Sequence, residues 1–311
     1  MIRTLTPNPS FDHTYEVGRF EPGAVNRAHG VTIAAAGKGV NVARNAVANG
    51  FAAAAVVPGN RTDGASFAAE LARFEVGCEI IDRAEPTRRN ITILDDDGTT
   101  SKVNEAGAPL DDALVEALLT AVASNPDAHV AGCGSLPPAT DLGLYARVAA
   151  TLPAPERQLA LDTSGAALAA CVDVPCLVVK PNREELEALV DDRLDTYGDL
   201  VDVAGDLVRR GWQNVLVSLG AAGAVLVNAR GAWAGSAPID AVVNTVGAGD
   251  AALTGFLCGE ADGEALAAAL AFGRATVASP ATAGAVVSDA DRAAVVLRAI
   301  DATESLGEET G

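Results

Sequence analysis

The 311-residue chain has little positive charge, and almost none of it is lysine. Lys38, Lys102 and Lys180 are its three lysines, and 22 Lys plus Arg stand against 41 Asp plus Glu, for a formal net charge of −19. So acidic a balance argues against a nucleic-acid partner and against an anionic membrane surface. It leaves room for an anionic small molecule, which would need a local positive pocket set against the global field. An acidic, lysine-poor surface also suits a high-salt cytoplasm, and a GC-rich genome would favour the same residues.

Other absences narrow the field further. His13, His29 and His129 are the only histidines, which excludes a His-rich metal site. Cys78, Cys133, Cys171, Cys176 and Cys258 are odd in number and scattered, and no pair has zinc spacing. They read as small core hydrophobes in a reducing compartment. No charge-led apolar segment resembling a signal peptide opens the sequence. No run approaches the roughly 18 apolar residues needed to span a bilayer. Together these features predict a cytoplasmic protein. There is no P-loop, because Lys38 is followed by Gly39 and not by Ser or Thr, and no G-x-S-x-G elbow. A dinucleotide fingerprint, an internal repeat and a long linker are missing too.

What is present is a folded composition, 49% hydrophobic and 20% charged. The length fits one large α/β unit, or one core with a small appendage. Short β-like runs at 2–6, 53–57, 130–133, 159–162, 177–180 and 215–218 alternate with helix-like runs. The latter lie at 40–49, 64–74 (with Asp63 as a cap), 111–123, 142–151, 183–190 and 200–210. Repeated βα units imply a parallel sheet with helices on both faces. A hairpin at 224–234, helices at 248–258, 264–277 and 289–302, and a frayed polar tail from 303 complete the expectation. Two stretches break the alternation. Residues 13–28 lack helical periodicity, and 91–103 carries two alternating runs around Asp95-Asp96-Asp97-Gly98, a hairpin signal. The acidic triplet reads as a solvated turn. Two such pieces could form one accessory sheet covering a pocket.

The sharpest chemistry lies at Asn244-Thr-Val-Gly-Ala-Gly-Asp250, which enters an apolar run. Small residues let backbone approach a ligand, and a helix starting here leaves N–H groups unpaired for an anion. Asp250 would oppose a plain phosphate site. It makes sense as a base taking a proton while the N–H groups hold developing phosphoryl charge; an Asp stabilising a helix N-terminus is the bland alternative. A second small-residue turn, Ala36-Gly37-Lys38-Gly39-Val40-Asn41, also enters a helix. Thr87-Arg88-Arg89-Asn90 stands at the mouth of the predicted hairpin, with Lys102 at its far end. Adjacent strand residues point to opposite faces, so one of Arg88 and Arg89 faces a covered pocket. Asn182 and Glu185, three apart, either order a hydrated magnesium ion or form an N-cap with Glu at N3. Turns at 132–138 and 218–223 also follow strands, and open parallel sheets bind ligands at that edge.

These residues together resemble the ribokinase/PfkB family of carbohydrate kinases, from Leu5-Thr-Pro-Asn-Pro-Ser-Phe-Asp12 to about Thr282. Gly37-Lys38-Gly39 with Asn41 is similar to the family's first signature, and Thr245 to Asp250 to its second. Asn-Pro-x-x-Asp at the start, Val25-Asn-Arg27, Thr87 to Asn90 and Gly134-Ser135-Leu-Pro137 resemble its phosphosugar branch. Asn104-Glu-Ala-Gly107 resembles a segment of the 1-phosphofructokinases within it. Two positions depart from the pattern. Ala36 replaces a glycine, which a negative φ would tolerate, and Asn244 stands where many members have Asp, although this branch commonly has Asn.

The resemblance implies a three-layer ribokinase-like α/β/α core, formed by the whole chain as one kinase domain. Lid segments at about 12–35 and 87–105 would be inserted in it and would pair two copies as a homodimer. It implies ATP-dependent phosphorylation of fructose 1-phosphate to fructose 1,6-bisphosphate. Tagatose 6-phosphate or fructose 6-phosphate is the alternative substrate, and a non-catalytic sugar-phosphate sensor or a nucleoside kinase fits less well. Asp250 would be the base, with the N–H groups of Gly247, Ala248 and Gly249 on the phosphoryl group. Asp12, Gly37, Asn41 and Asn104 would hold the sugar, and Lys38, Arg88 and Ser135 its phosphate. Lys180, Asn182, Ser218, Gly220 and Gly223 would line the nucleotide, and Glu185 would hold Mg2+ through water. K+ is a further implied cofactor.

Overall fold

The structure, a computed structural model, describes residues 1–259 and 262–306. Short β-branched and aliphatic runs, bounded by glycine and polar turns, become fourteen strands among the described residues. In chain order they are β1 (Ile2–Leu5), β2 (Ser10–Val17), β3 (Ala28–Ala36), β4 (Ala53–Gly59), β5 (Gly77–Asp82), β6 (Arg88–Asp95) and β7 (Thr100–Asn104). There follow β8 (His129–Cys133), β9 (Leu159–Asp162), β10 (Val178–Val179), β11 (Asn214–Ser218), β12 (Ala224–Asn228), β13 (Gly231–Ser236) and β14 (Val296–Arg298). Ten of them form one sheet in the order β14-β13-β12-β11-β10-β9-β8-β1-β4-β5. Every pair from β5 to β11 is parallel, and the last three strands add antiparallel.

Burial explains why these strands read as unbroken apolar runs. Alternate residues enter opposite layers: Leu159 and Leu161 join one cluster with Leu118, Tyr145 and Trp212. Ala160 joins the other with Val40, Phe67 and Leu253. Helices cover both faces, and the carboxyl ends of β1, β8, β9, β10 and β11 open on one edge. The chain is thus α/β with helix, sheet and helix layers.

The four remaining strands form a separate sheet, β3-β2-β6-β7, with β2 and β6 parallel and the outer pairs antiparallel. Its register sorts side chains by parity. Ser10, Asp12, Arg88, Asn90, Lys102 and Asn104 share one face. The other face carries Val31, Ile33, His13, Tyr15, Ile91, Ile93 and Val103. Arg88 is therefore on the polar face, and Arg89, exposed, is on the apolar one. The acidic triplet sits in the β6–β7 turn, where Asp96 meets His29 and Asp95 accepts from the Phe20 amide.

Three local expectations fail. Residues 289–302 make a five-residue helix, Asp289–Ala293, and then β14, because Val296 and Leu297 complete the sheet edge beside β13. A short apolar run satisfies either period, and tertiary pairing decided it. Asp63 lies inside the helix Asp63–Ala72 and does not cap it. Its carboxylate instead accepts from the Thr87 amide and hydroxyl, at the root of β6. The tail is anchored as far as Leu306, which is buried and donates its amide to Asp195; residues 307–311 lie outside the described part.

Candidate active site

A buried carboxylate at the end of β9 organises the floor of the site. Asp162 is 1% exposed, and two lysines grip it from different elements. Lys38 Nζ lies 2.7 Å from Oδ1, and Lys180 Nζ lies 3.2 Å from Oδ2. Lys38 opens the helix Lys38–Ala48, and Lys180 follows β10. Burial alone would push the Asp162 carboxyl up, but the ammonium groups of Lys180 and Lys38 hold it below the usual carboxylate range. Lys38 shows the mirror effect. Burial works against its charge, yet Asp162, Asp250 and Glu185 keep its pKa above the ordinary lysine value.

Asp250 stands beside this pair in the first turn of the helix Ala248–Cys258. Gly247 precedes it at φ 85, and a Cβ there would meet the Thr282 carbonyl oxygen at 2.0 Å, so only glycine fits. A Cβ on Gly249 would lie 3.1 Å from Lys180 Nζ, which places that ammonium directly against the turn. The first turn of this helix, whose dipole favours an anion, thus has Lys180 against it and Lys38 on the neighbouring Asp162. Asp250 Oδ2 accepts 2.8 Å from Asn41 Nδ2. Its carboxyl is pushed up to about 7, first by burial and then by the nearby Asp162, against the pull of Lys38, Asn41 and Lys180. Such a group can take a proton near neutral pH.

The Ala36-Gly37 turn carries Lys38 to Asp162. Gly37 has φ 144, and a Cβ on it would strike the Thr6 methyl at 2.6 Å. Ala36 ends β3 opposite Ser10 and is not among the positive-φ residues, so its methyl is accommodated.

Above the floor, the polar face of the small sheet is a hydrogen-bonded strip. Asp12 Oδ1 accepts from Ser10 Oγ at 2.7 Å and from Asn90 Nδ2 at 2.9 Å. Arg88 donates to Asn90 Oδ1, to the Asn8 carbonyl and to the Glu105 carbonyl. Partial burial lowers its pKa, although Asp12 and Glu105 resist. Asn104 lies opposite Asn90 and is exposed. Lys102 shares this face but is exposed farther out, away from the floor where the other two lysines meet.

The third group lies along the edge of β10 and β11. Ser218 ends β11, and its amide donates to Pro181, drawing the 180–182 segment alongside. The turn Gly220–Ala222 follows, closed by the Leu219 amide on the Gly223 carbonyl. Asn182 and Glu185 form a reciprocal capping box on the helix Arg183–Val190. Ser135 is exposed just beyond β8, next to Gly134, whose amide donates to the Asp162 carbonyl. Sequence reasoning missed Asp162, Ser10 and the fixing of Thr87 by Asp63. An acid ending the buried run Leu-Ala-Leu was the available signal for the first.

Residues 5–290 match the family described as pfkB family carbohydrate kinase. The chain belongs to that family. As a PfkB kinase it has curated relatives over most of its length. It is 37% identical over 284 residues to the 1-phosphofructokinase of Haloferax volcanii, covering 88% of each chain. It is 35% identical over 266 residues to that of Rhodobacter capsulatus, covering 82% of each. Among solved structures, phosphofructokinase-2 from Escherichia coli in complex with potassium superposes with a TM-score of 0.85 at 27% identity, over 94% of this chain and 96% of that one. The ribokinase-like architecture is shared. No described helix is long and apolar enough to cross a membrane.

Proposed function

We propose that the chain transfers the γ-phosphoryl group of ATP to the C6 hydroxyl of fructose 1-phosphate, giving fructose 1,6-bisphosphate and ADP. The observation that carries a phosphoryl transfer is the buried Asp250 in the first turn of an anion-receiving helix, with Lys38 and Lys180 gathered on Asp162 beside it. The 1-phosphofructokinase relatives support the choice of sugar.

In this reading Asp250 accepts the hydroxyl proton as the new O–P bond forms and the bond to the ADP oxygen breaks. The amides of Gly247, Ala248 and Gly249 and the Lys180 ammonium take up the charge that develops on the phosphoryl oxygens. Asp12, Asn41, Gly37 and Asn104 orient the sugar, while Lys38, Arg88 and Ser135 receive its phosphate. Lys180, Asn182, Ser218, Gly220 and Gly223 bound the nucleotide.

A magnesium ion fits a sparse oxygen donor set. No group of three or more His, Cys, Asp or Glu side chains suited to a metal occurs among the described residues, and magnesium usually keeps several waters. Glu185 has one carboxylate oxygen engaged in its capping box, at 3.0 Å from the Asn182 amide. Its other oxygen would face the ion through water. When bound, the ion would neutralise charge on the phosphates. Potassium is proposed from the Escherichia coli neighbour alone.

A second copy of the chain is the proposed occupant of the small sheet's apolar face. Val31 and Ile33 on β3 and Val103 on β7 are 55%, 52% and 61% exposed there, on the two outer strands of that face. That face closes two lids back to back, and the chain works as a homodimer in the cytoplasm. ATP turnover measured against fructose 1-phosphate, fructose 6-phosphate, tagatose 6-phosphate and free fructose tests the assignment. The highest kcat/KM on fructose 1-phosphate supports it. Preference for another sugar phosphate overturns the substrate, and no turnover on any sugar overturns the kinase.

A further inference from the structure

The helix Lys38–Ala48 and its cap carry an unusual stripe: Asn41, Asn45 and Asn49. A spacing of four puts them on one face. Asparagine is a poor helix former, and burying its amide is costly unless it is hydrogen-bonded. Asn45 is nevertheless 1% exposed. Its Nδ2 has no partner among the described residues, so local helix stability does not account for it.

The hydrogen bonds show what the stripe holds. Asn41 reaches Asp250. Asn45 Oδ1 accepts from the Gly284 amide at 2.7 Å. Asn49 Oδ1 accepts from the Val287 amide at 2.9 Å, and its Nδ2 donates 2.9 Å to the Ala285 carbonyl and 2.8 Å to the Asn45 carbonyl. One helix face thus grips both the base and the loop 283–287. That loop continues from Thr282, whose carbonyl is packed against Gly247. Pro280, just before it, accepts from Asn244 Nδ2 at the other end of the same turn.

We propose that Asn45 and Asn49 are positioning residues, which latch the 283–287 loop so that the Gly247 turn keeps its phosphoryl-receiving shape. Neither touches the reacting atoms. They act through Thr282, on the nucleotide side, whereas Asn41 on the same helix serves the sugar side. The inference rests on the kinase reading only for what the turn receives; the latch itself is a matter of hydrogen bonds.

The test uses the full chain with Asn45→Ala and Asn49→Ala combined, and Asn49→Leu alone at the more exposed site in case the pair does not fold. Amide exchange without ligand reads the latch at 282–287 and at Ala251, whose amide donates to the Gly247 carbonyl at 2.9 Å. Calorimetry with a non-hydrolysable ATP analogue reads the nucleotide side. Faster exchange at both places, analogue binding weakened by about tenfold, the scale of one or two net hydrogen bonds, and a sugar-phosphate KM within about twofold of wild type are expected. Unchanged exchange at Ala251, or equal losses on the sugar and nucleotide sides, would overturn it. If the wild-type chain binds no analogue, the kinase reading fails, and exchange at Ala251 still decides the latch.

Discussion

The floor of the site and the lid above it hold their polar groups by different means. On the floor, Lys38, Asp162, Lys180 and Asp250 come from four separate segments of the chain, and all but the half-exposed Lys38 are buried. On the lid, Ser10, Asp12, Arg88 and Asn90 belong to two neighbouring strands and are joined by hydrogen bonds, with Ser10 buried and the other three half-exposed. Buried charges gain strength from the low dielectric but punish the loss of any one partner. Half-exposed hydrogen bonds tolerate rearrangement. The floor is thus suited to chemistry, and the lid to recognition.

Breaking the floor should cost most. Asp250→Asn is expected to lower kcat by about 10³-fold, within the range of general-base losses, with ATP binding retained in calorimetry. Near-normal turnover would remove Asp250 as the base. The same group sets the pH response: with its carboxyl at about 7 in the free chain, kcat/KM in wild type should fall tenfold per unit below that point. Stability runs the opposite way. The folded state keeps a proton that the unfolded Asp releases near 3.8, so stability is full below that pH and is lost as pH rises through about 7. Asp250→Asn should therefore melt higher than wild type at pH 8, and no higher at pH 3.5.

Asp162→Asn probes the floor's structure. Two lysines lose their partner, and breaking a buried pair costs roughly 3–5 kcal/mol, read as a lower Tm. Asp250 also loses a like-charged neighbour, so the acid limb of the surviving activity should move below pH 7. An unmoved limb would separate the two carboxylates electrostatically.

The lid should respond more mildly. Arg88→Ala is expected to raise the sugar-phosphate KM about tenfold, the scale of one charge-assisted hydrogen bond, and to leave the KM for ATP unchanged. Equal effects on both would take Arg88 off the phosphate. Smallest of all, Ile33→Lys on the apolar face should shift the chain from dimer to monomer in sedimentation with the melting temperature nearly unchanged. A dimer that persists would sink the lid interface.

The floor and the lid were not equally legible in the sequence. The turn at 247–250 stood out because glycines next to an acid at a helix start have few other uses. The parallel sheet was legible because runs buried on both faces leave uninterrupted aliphatic stretches. Asp162 was not, since an acid closing a strand looks the same whether it meets water or two lysines. Lys102, expected at the far end of the hairpin, lies there, exposed on β7. Asn45 and Asn49 carried no signal in the sequence, because their partners lie more than 200 residues away. The run at 295–298 fitted a helix until the neighbouring edge strand claimed it.

The lid has only one sheet's thickness between the face proposed to bind sugar and the face proposed to meet a second copy. Whatever free energy a partner copy contributes by ordering the four strands, a bound sugar phosphate must return by the same factor. Saturating sugar phosphate should then lower the dimer dissociation constant as much as dimerisation lowers that of the sugar. Dilution would accordingly act as an inhibitor that substrate reverses.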